Sequence, residues 1–253
     1  MTKIILSGCN GRMGQVITRL AAQGSACEIV AGIDINNCVE NDYPVFPAPD
    51  ACDADADVIV DFSHPSAFGA LTEFAKKRRL ALVAATTGLD AGQKAALSAL
   101  SKEIPVFYSA NMSVGINLLI ELAKKAAAVL GESFDIEIVE QHHNRKIDAP
   151  SGTALAIADA VSGVLPDAPR YVYDRHSVRR SRRHDEIGIH SVRGGTNCGK
   201  HDVIFAGADE GITLSPEAMS REVFASGALR AASFIDGKPA GMYSMRELVG
   251  ELS

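Results

Sequence analysis

The densest run of chemically able residues is Glu140-Gln141-His142-His143-Asn144-Arg145-Lys146-Ile147-Asp148-Ala149-Pro150-Ser151-Gly152-Thr153-Ala154-Leu155. Two histidines, an arginine and a lysine fall within five residues, and a helix start follows. Ser151 stands near the cap position, and Gly152 and Thr153 offer backbone N–H groups. A cationic loop beside a helix N-terminus is a receptor for a small anion, above all a carboxylate. Pro150 keeps Ala149 extended and pre-sets the chain for the helix. A solvated polar loop would account for Asn144 and Arg145 but not for the Ser-Gly-Thr start. Metal binding is not expected, because adjacent His142 and His143 cannot face one ion from a regular strand or helix and no H-E-x-x-H is present.

A second motif, Gly8-Cys9-Asn10-Gly11-Arg12-Met13-Gly14, joins an apolar strand to a helix. Glycines there let the backbone turn tightly against a pyrophosphate, whose charge sits on the free N–H groups of the helix end. The spacing is G-x-x-G-x-x-G rather than G-x-G-x-x-G, and Asn10 is expected to take the left-handed conformation a glycine would otherwise supply. Asp34 ends the next strand, 26 residues after Gly8, where an acid accepts hydrogen bonds from the adenosine ribose. Two further strand ends, Ala85-Thr86-Thr87-Gly88 and Ser109-Ala110-Asn111-Met112-Ser113, should rim the same crevice and supply hydrogen bonds for a carboxamide. Each by itself is an ordinary polar loop.

The elements that must carry these loops follow from hydrophobic periodicity. Strands are expected at 3–7, 28–33, 58–62, 81–85 and 106–109, with helices at 12–23, 65–77 and 90–102 between them, the pattern of βαβ units around a parallel sheet. Asp90 caps the third helix and Pro105 stops it. A long helix at 114–130 ends at Gly131. Beyond it come a strand at 134–140, a helix at 151–163 and strands at 187–192, 201–206 and 211–215. Strands in succession predict a mixed or antiparallel sheet. Residues 167–186 are expected to form an irregular surface excursion, and helix-like text from Arg221 to pack back on the first part. The fold class is α/β: a Rossmann-like dinucleotide-binding domain (1–112, with 221–253) and a second α+β domain with a mixed sheet (113–220).

The chain has 253 residues, 47% hydrophobic and 22% charged, with a net charge of -6. These values fit an ordinary globular protein and argue against a dedicated nucleic-acid binder or a membrane-surface role. The cluster of Arg175, Arg179, Arg180, Arg182 and Arg183 lacks interleaved aromatics and precedes Asp185 and Glu186, so a solvated loop or subunit contact is expected. No apolar run reaches the roughly 18 to 20 residues of a membrane span, and no signal peptide is read at the start. Five irregularly spaced cysteines without C-x-x-C suit a reducing, cytoplasmic compartment.

With these motifs in view, the sequence closely resembles the 4-hydroxy-tetrahydrodipicolinate (dihydrodipicolinate) reductase family along nearly its whole length. The resemblance rests on Gly8 to Gly14, Asp61-Phe62-Ser63, Thr86-Thr87-Gly88, Asn111 to Gly115, the loop from Glu140 to Ala154, and Ser191 to Gly195. It implies a nicotinamide-dependent reductase of a small cyclic dicarboxylate in lysine and diaminopimelate synthesis. It implies that His142 is the catalytic acid/base and Lys146 the proton donor, and that His143, Gly152 and Thr153 contact substrate. Gly8, Cys9, Asn10, Gly11, Arg12, Met13, Asp34, Ala85, Thr86, Thr87, Ser109, Ala110, Asn111 and Met112 would line the cofactor site. It implies a homotetramer assembled through the second sheet. Ala85 stands where the family often has glycine, and Asn144-Arg145 replaces an Arg-His pair of some relatives, so neither of these two is given a role. No cation follows Asp34 closely, so NADH is expected to be preferred, with NADPH possible. Rival readings are another dinucleotide reductase, such as an aspartate or semialdehyde dehydrogenase, and a dinucleotide sensor without catalysis. An acylating semialdehyde enzyme needs a cysteine nucleophile, and none lies near His142 in sequence; a sensor has no use for His142, Lys146 and the carboxylate cradle.

Overall fold

In the computed structural model, which describes residues 1–24 and 26–251, the chain forms two compact units. One runs from Met1 to Val114 and includes the tail from Arg221; the other spans Gly115–Ser220. The first unit begins with β1 (Thr2–Ser7), α1 (Arg12–Ala22), β2 (Cys27–Ile33), β3 (Val45–Phe46), β4 (Val58–Asp61), α2 (Phe68–Arg78), β5 (Ala81–Ala84), α3 (Ala91–Leu100) and β6 (Pro105–Tyr108). Period-2 alternation sends Ile4, Leu6, Val58, Val60 and Val83 to one apolar layer and Ile5, Ile59 and Leu82 to the other. Strands buried on both faces read as unbroken apolar runs, which is why β4 and β5 are legible without alternation. Asp90 caps α3 in a reciprocal capping box with Gln93, as its position in the sequence suggests.

The second unit contains α4 (Val114–Leu130) past its first residue, then β7 (Asp135–His142), α5 (Gly152–Ser162), β8 (Arg170–Val172), β9 (Glu186–Arg193), β10 (Lys200–Ala206) and β11 (Gly211–Leu214). Its sheet has the order β11-β10-β7-β9-β8. Strand β7 runs parallel to β9 and antiparallel to β10, so the sheet is mixed. Ile136, Ile138, Ile187, Ile189, Val203 and Phe205 pack with Leu119 and Ala123 of α4 and Ala154, Ile157 and Val161 of α5. Segment 167–186 is for the most part the irregular, exposed excursion expected of it, with one short strand added. It includes β8, paired parallel to β9, and several of its largely exposed arginines reach back to carboxylates of the sheet. Arg175 and Arg182 bind Glu137, Arg182 also binds Asp135, and Arg180 binds the buried Glu186. Carboxylates on the outward row of β7 thus fix a segment whose own text carries no periodicity.

The tail adds α6 (Glu222–Ile235), β12 (Gly241–Tyr243) and α7 (Met245–Glu251) to the first unit. Strand β12 pairs with β6 and completes a seven-stranded parallel sheet of order β12-β6-β5-β4-β1-β2-β3. Helix α6 lies so close to the segment after β6 that a Cβ on Gly227 would come within 1.7 Å of the Met112 carbonyl oxygen. The strand order reverses direction at β1, which has β2 on one side and β4 on the other. In a doubly wound sheet this is where the crevice opens at the carboxyl ends of the strands. Among the described residues, no helix is long and apolar enough to cross a membrane.

Candidate active site

At the carboxyl edge of the first sheet, Gly8 takes φ +77° and a Cβ on it would press to 2.7 Å from the Phe62 carbonyl oxygen. Both facts demand glycine. Asn10 does not take the left-handed conformation expected of it, since Gly8 supplies the turn. Its N–H donates to Asp34 Oδ2 at 2.9 Å, and its side-chain carbonyl accepts from Asn41 at 2.8 Å. Helix α1 starts at Arg12 with Gly11 as N-cap, no side-chain cap and no acid in its first turn. A helix end left without these partners carries its positive dipole and free N–H groups outward, which suits a pyrophosphate. Arg12 is exposed, whereas Cys9 is fully buried and burial pushes its thiol up to about 11. Cys9 therefore presents only its backbone.

Asp34 accepts from two backbone N–H groups, Asn10 on Oδ2 and Asn36 on Oδ1, each at 2.9 Å. Each oxygen keeps a second lone pair for a further donor. No salt bridge to Asp34 occurs among the described residues. The other strand ends are tied by a residue to which the sequence reading gave no role. Asp61, with no exposed surface, accepts from Thr86 Oγ1 at 2.7 Å and from the Ser63 N–H at 3.0 Å. It thus locks the turn after β4 to the turn after β5. Ser63 Oγ is buried at this rim with no partner in the described protein, and a buried hydroxyl of this kind suits a polar ligand group. Ala85 and Thr86 are buried, and Ser109 N donates to the Ala84 carbonyl at 3.3 Å, so the ends of β4, β5 and β6 are tied together along one edge. Met112 is buried in the apolar layer under α6, with its carbonyl packed against Gly227.

In the second unit, the inward row of β7 is Ile136, Ile138, Glu140, His142. The strand's period-2 pleat therefore carries a carboxylate and an imidazole where apolar residues precede them. Register brings their partners: Glu140 lies opposite His201 of β10 and Ser191 of β9, and His142 opposite Arg193. Glu140 has no exposed surface. It accepts a forked pair of bonds from Arg193, both 2.7 Å, one from His142 Nδ1 at 2.5 Å and one from the Ser151 N–H at 3.1 Å. Burial alone would push this carboxyl up; hydrogen bonds from Arg193, Ser191 and His142 outweigh it and bring it down to about 2. An anionic Glu140 fixes His142 with its proton on Nδ1 and leaves Nε2 as the acceptor.

His142 itself sits below the ordinary histidine value because burial outweighs the attraction of Glu140, with Lys146 and Arg193 adding to the depression. Its ring meets that of His201 edge-on at 5.3 Å. Burial, and next the charge on His142, hold His201 down to about 4; its Nε2 is 3.1 Å from Ser151 Oγ. Ser151 also caps α5 by accepting from the Ala154 N–H at 3.1 Å. A Cβ on Gly199 would come within 2.9 Å of His142 Nε2, so this glycine keeps space at the accepting nitrogen.

The loop after His142 is held by the turn after β9. The His143 and Asn144 N–H groups donate to the carbonyls of Asn197 and Gly195. His143 Nδ1 is buried with no partner in the described protein. Lys146 Nζ forms an ion pair with Asp148 at 2.8 Å, and Gly152, the first residue of α5, is exposed. The Ala149–Pro150 bond is cis. The structure thus gathers His142, His143, Lys146 and the α5 start in one unit. It adds Glu140, Arg193 and His201, to which the sequence reading gave no role. Cys198, remote from His142 in sequence, lies between two residues that touch this segment.

A family model described as dihydrodipicolinate reductase, N-terminus, matches residues 2–112, and one described as dihydrodipicolinate reductase, C-terminus, matches residues 115–249. The chain is 53% identical over 249 residues, 98% of each chain, to the 4-hydroxy-tetrahydrodipicolinate reductase of Caldanaerobacter subterraneus subsp. tengcongensis. It is 46% identical to that of Clostridium tetani, covering 97% of this chain and 96% of the relative. A dipicolinate-bound dihydrodipicolinate reductase from a Paenisporosarcina species superposes with a TM-score of 0.82 at 24% identity, over 96% of this chain and 97% of its own.

Proposed function

The chain belongs to the dihydrodipicolinate reductase family, and from that premise we propose that it reduces 4-hydroxy-tetrahydrodipicolinate to tetrahydrodipicolinate with a nicotinamide dinucleotide. One observation carries the reading to these residues. A cation, Lys146, and the start of α5 lie in the same short loop as an imidazole, His142, whose tautomer a buried carboxylate fixes. That loop can seat a carboxylate and handle a proton at once. A protein that only sensed dinucleotide would have no use for it.

Hydride is the chemistry that the dinucleotide supplies when bound. Residues 1–112 and 221–253 form the dinucleotide-binding domain. The backbone of Gly8, Cys9, Asn10, Gly11, Arg12 and Met13 cradles the pyrophosphate at the uncapped start of α1, and Asp34 accepts from the ribose hydroxyls. Ala85, Thr86, Thr87, Ser109, Ala110, Asn111 and Met112 line the nicotinamide side, where Asp61 sets the position of Thr86 and of the unpartnered Ser63 hydroxyl. NADH is the preferred donor and NADPH a possible one.

Residues 113–220 bind the substrate, a six-membered ring with two carboxylates and a conjugated C=C/C=N system after loss of water. One carboxylate lies on the Gly152 and Thr153 N–H groups, where the helix dipole and Lys146 offset its charge. His143 contacts the ring substituents. As hydride adds to the conjugated system, the carbon or nitrogen that gains electron density takes its proton from Lys146, and His142 Nε2 serves as acid/base. The same domain carries the homotetramer contact through its sheet, whose edge strand β11 is exposed along 211–213. The cytoplasm is the proposed compartment.

The test is a coupled assay. Condensation of aspartate semialdehyde with pyruvate supplies the substrate, and loss of nicotinamide absorbance is followed. Turnover that requires both precursors is expected, with Lys146→Ala and His142→Gln each lowering kcat by about 100-fold, the scale of general acid–base catalysis. Binding of dinucleotide without turnover, or wild-type kcat in both variants, overturns the reading.

A further inference from the structure

The cradle assigned to the substrate carboxylate already has a carboxylate in it. Asp148 Oδ1 lies 2.8 Å from Lys146 Nζ. The N–H of Gly152, the first residue of α5, bears on the same Asp148 carboxylate, which Lys146, opposed by burial, holds below the ordinary carboxylate range. Lys146 and Gly152 are two of the groups that the proposed function gives to the substrate, and both converge on a side chain four residues before the helix. The resting cradle is therefore filled by an anion of the same chemical class as its proposed ligand.

The anchoring of the two partners differs. Glu140, a few residues earlier, is enclosed and held by a forked arginine, a histidine and a backbone N–H. Asp148 is held at its carbonyl, which accepts from Arg193, while its side chain remains 57% exposed. The main chain is thus fixed and the carboxylate is free to swing. An ion pair this open to solvent contributes little to stability, because water screens it and the long Lys146 side chain must be ordered to make it. It is a contact easily exchanged for another carboxylate of better geometry.

We propose that Asp148 is a resident stand-in for the substrate carboxylate: it holds Lys146 and the α5 start in the empty site and is displaced when a dicarboxylate binds. Asp148 thereby sets the affinity of the cradle. It also withholds the Lys146 ammonium from other acceptors until a substrate carboxylate has released it. No bond is made or broken in the exchange, and Lys146 keeps its proton throughout. The inference rests on the assignment of this cradle to the substrate.

Calorimetric titration of the full-length protein with pyridine-2,6-dicarboxylate at low salt tests it. Asp148→Asn should bind about 2- to 5-fold more tightly than wild type, the range an exposed ion pair is worth. Asp148→Ser, which retains a short acceptor for the helix end, should shift in the same direction and guards against one variant failing to fold. At high salt the gain should shrink, because the competition is between anions. Equal or weaker binding by both variants overturns the stand-in role and makes Asp148 a support for the loop. Lys146→Ala separates this from the underlying assignment. Weaker binding in that variant leaves the cradle in place whatever Asp148 does. Unchanged binding removes the cradle itself.

Discussion

Replacing Glu140 with glutamine exchanges one oxygen for an NH2 group and leaves the side-chain shape intact. The carboxylate is fully buried, and its carboxyl sits at about 2 against an ordinary 4.5. That gap, at about 1.4 kcal/mol per unit, amounts to on the order of 3 kcal/mol of interaction belonging to the charged form. The amide keeps a single acceptor oxygen, and in either orientation its NH2 meets an Arg193 N–H head-on, together with the His142 Nδ1–H or the Ser151 N–H. Removing one partner of a buried ion pair costs up to about 3–5 kcal/mol, and the lower end applies here because the Arg193 side chain keeps 20% of its surface exposed. At about 2–4 °C per kcal/mol for a chain of this size, the melting temperature should fall by at least about 6 °C. Catalysis should fall further than folding explains. Without the carboxylate, His142 loses the partner that holds its proton on Nδ1, and kcat should drop by about 100-fold. The decisive readout is the pH profile of kcat/KM. Glu140 is the influence that raises His142 against burial, so its loss should move the acid limb set by His142 to lower pH. Lower melting temperature with wild-type kcat and an unmoved acid limb would show Glu140 to be structural only and refute the reasoning.

Three further outcomes are expected. Gly199→Ala puts a methyl where a Cβ would lie 2.9 Å from His142 Nε2; kcat should fall at least about 10-fold with little change in KM for dinucleotide, and steady-state kinetics decide it. His201 is buried and neutral with a folded value of about 4 against an ordinary 6.5. Its contribution is thus complete above pH 6.5 and lost as pH falls toward 4, with about 2 kcal/mol gone by pH 5. Urea unfolding at pH 7 and pH 5, followed by circular dichroism, should show that loss in wild type and a smaller one in His201→Asn; equal losses refute it. Asp34 accepts two backbone N–H groups and has no salt bridge among the described residues, so the 2'-phosphate of NADPH would meet a carboxylate that no paired cation neutralises. The ratio of kcat/KM should favour NADH by about 10-fold, and an NADPH preference that persists at high salt would contradict it.

The parallel strands were legible because burial on both faces makes them apolar throughout, as in Val58-Ile59-Val60 and Ala81-Leu82-Val83. Strands β3, β8 and β12 were not. They are two or three residues long, and what makes them strands is a neighbour's free edge rather than any pattern of their own. Segment 167–186 read as irregular and largely is. What order it has comes from Arg175, Arg180 and Arg182 reaching Glu137 and Glu186, and the register of β7 and β9 brings those acids together. At the first motif the need for a left-handed residue was read correctly and assigned to the wrong one. Gly8 provides it, and Asn10 spends its N–H on Asp34.

The second motif shows more sharply where local reading ends. His142 to Thr153 stood out because it is contiguous and cationic. Glu140 opened the same run but was given no role, because acids at 135, 137 and 140 look like one solvent-facing set. The period of two separates them: Asp135 and Glu137 share the outward row, whereas Glu140 follows Ile136 and Ile138 inward. That much was available from counting. What was not available is why a carboxylate tolerates such a place. Arg193 is 53 residues away and His201 is 61, and only the pairing of β7 with β9 on one side and β10 on the other delivers them. Each alone is a poor candidate for burial. Together they form a charged cluster at the end of an apolar strand row, where the hydrophobic core of the second unit passes directly into its chemistry. The residues that fix the acid/base histidine are thus also the ones whose titration limits the stability of the sheet in acid.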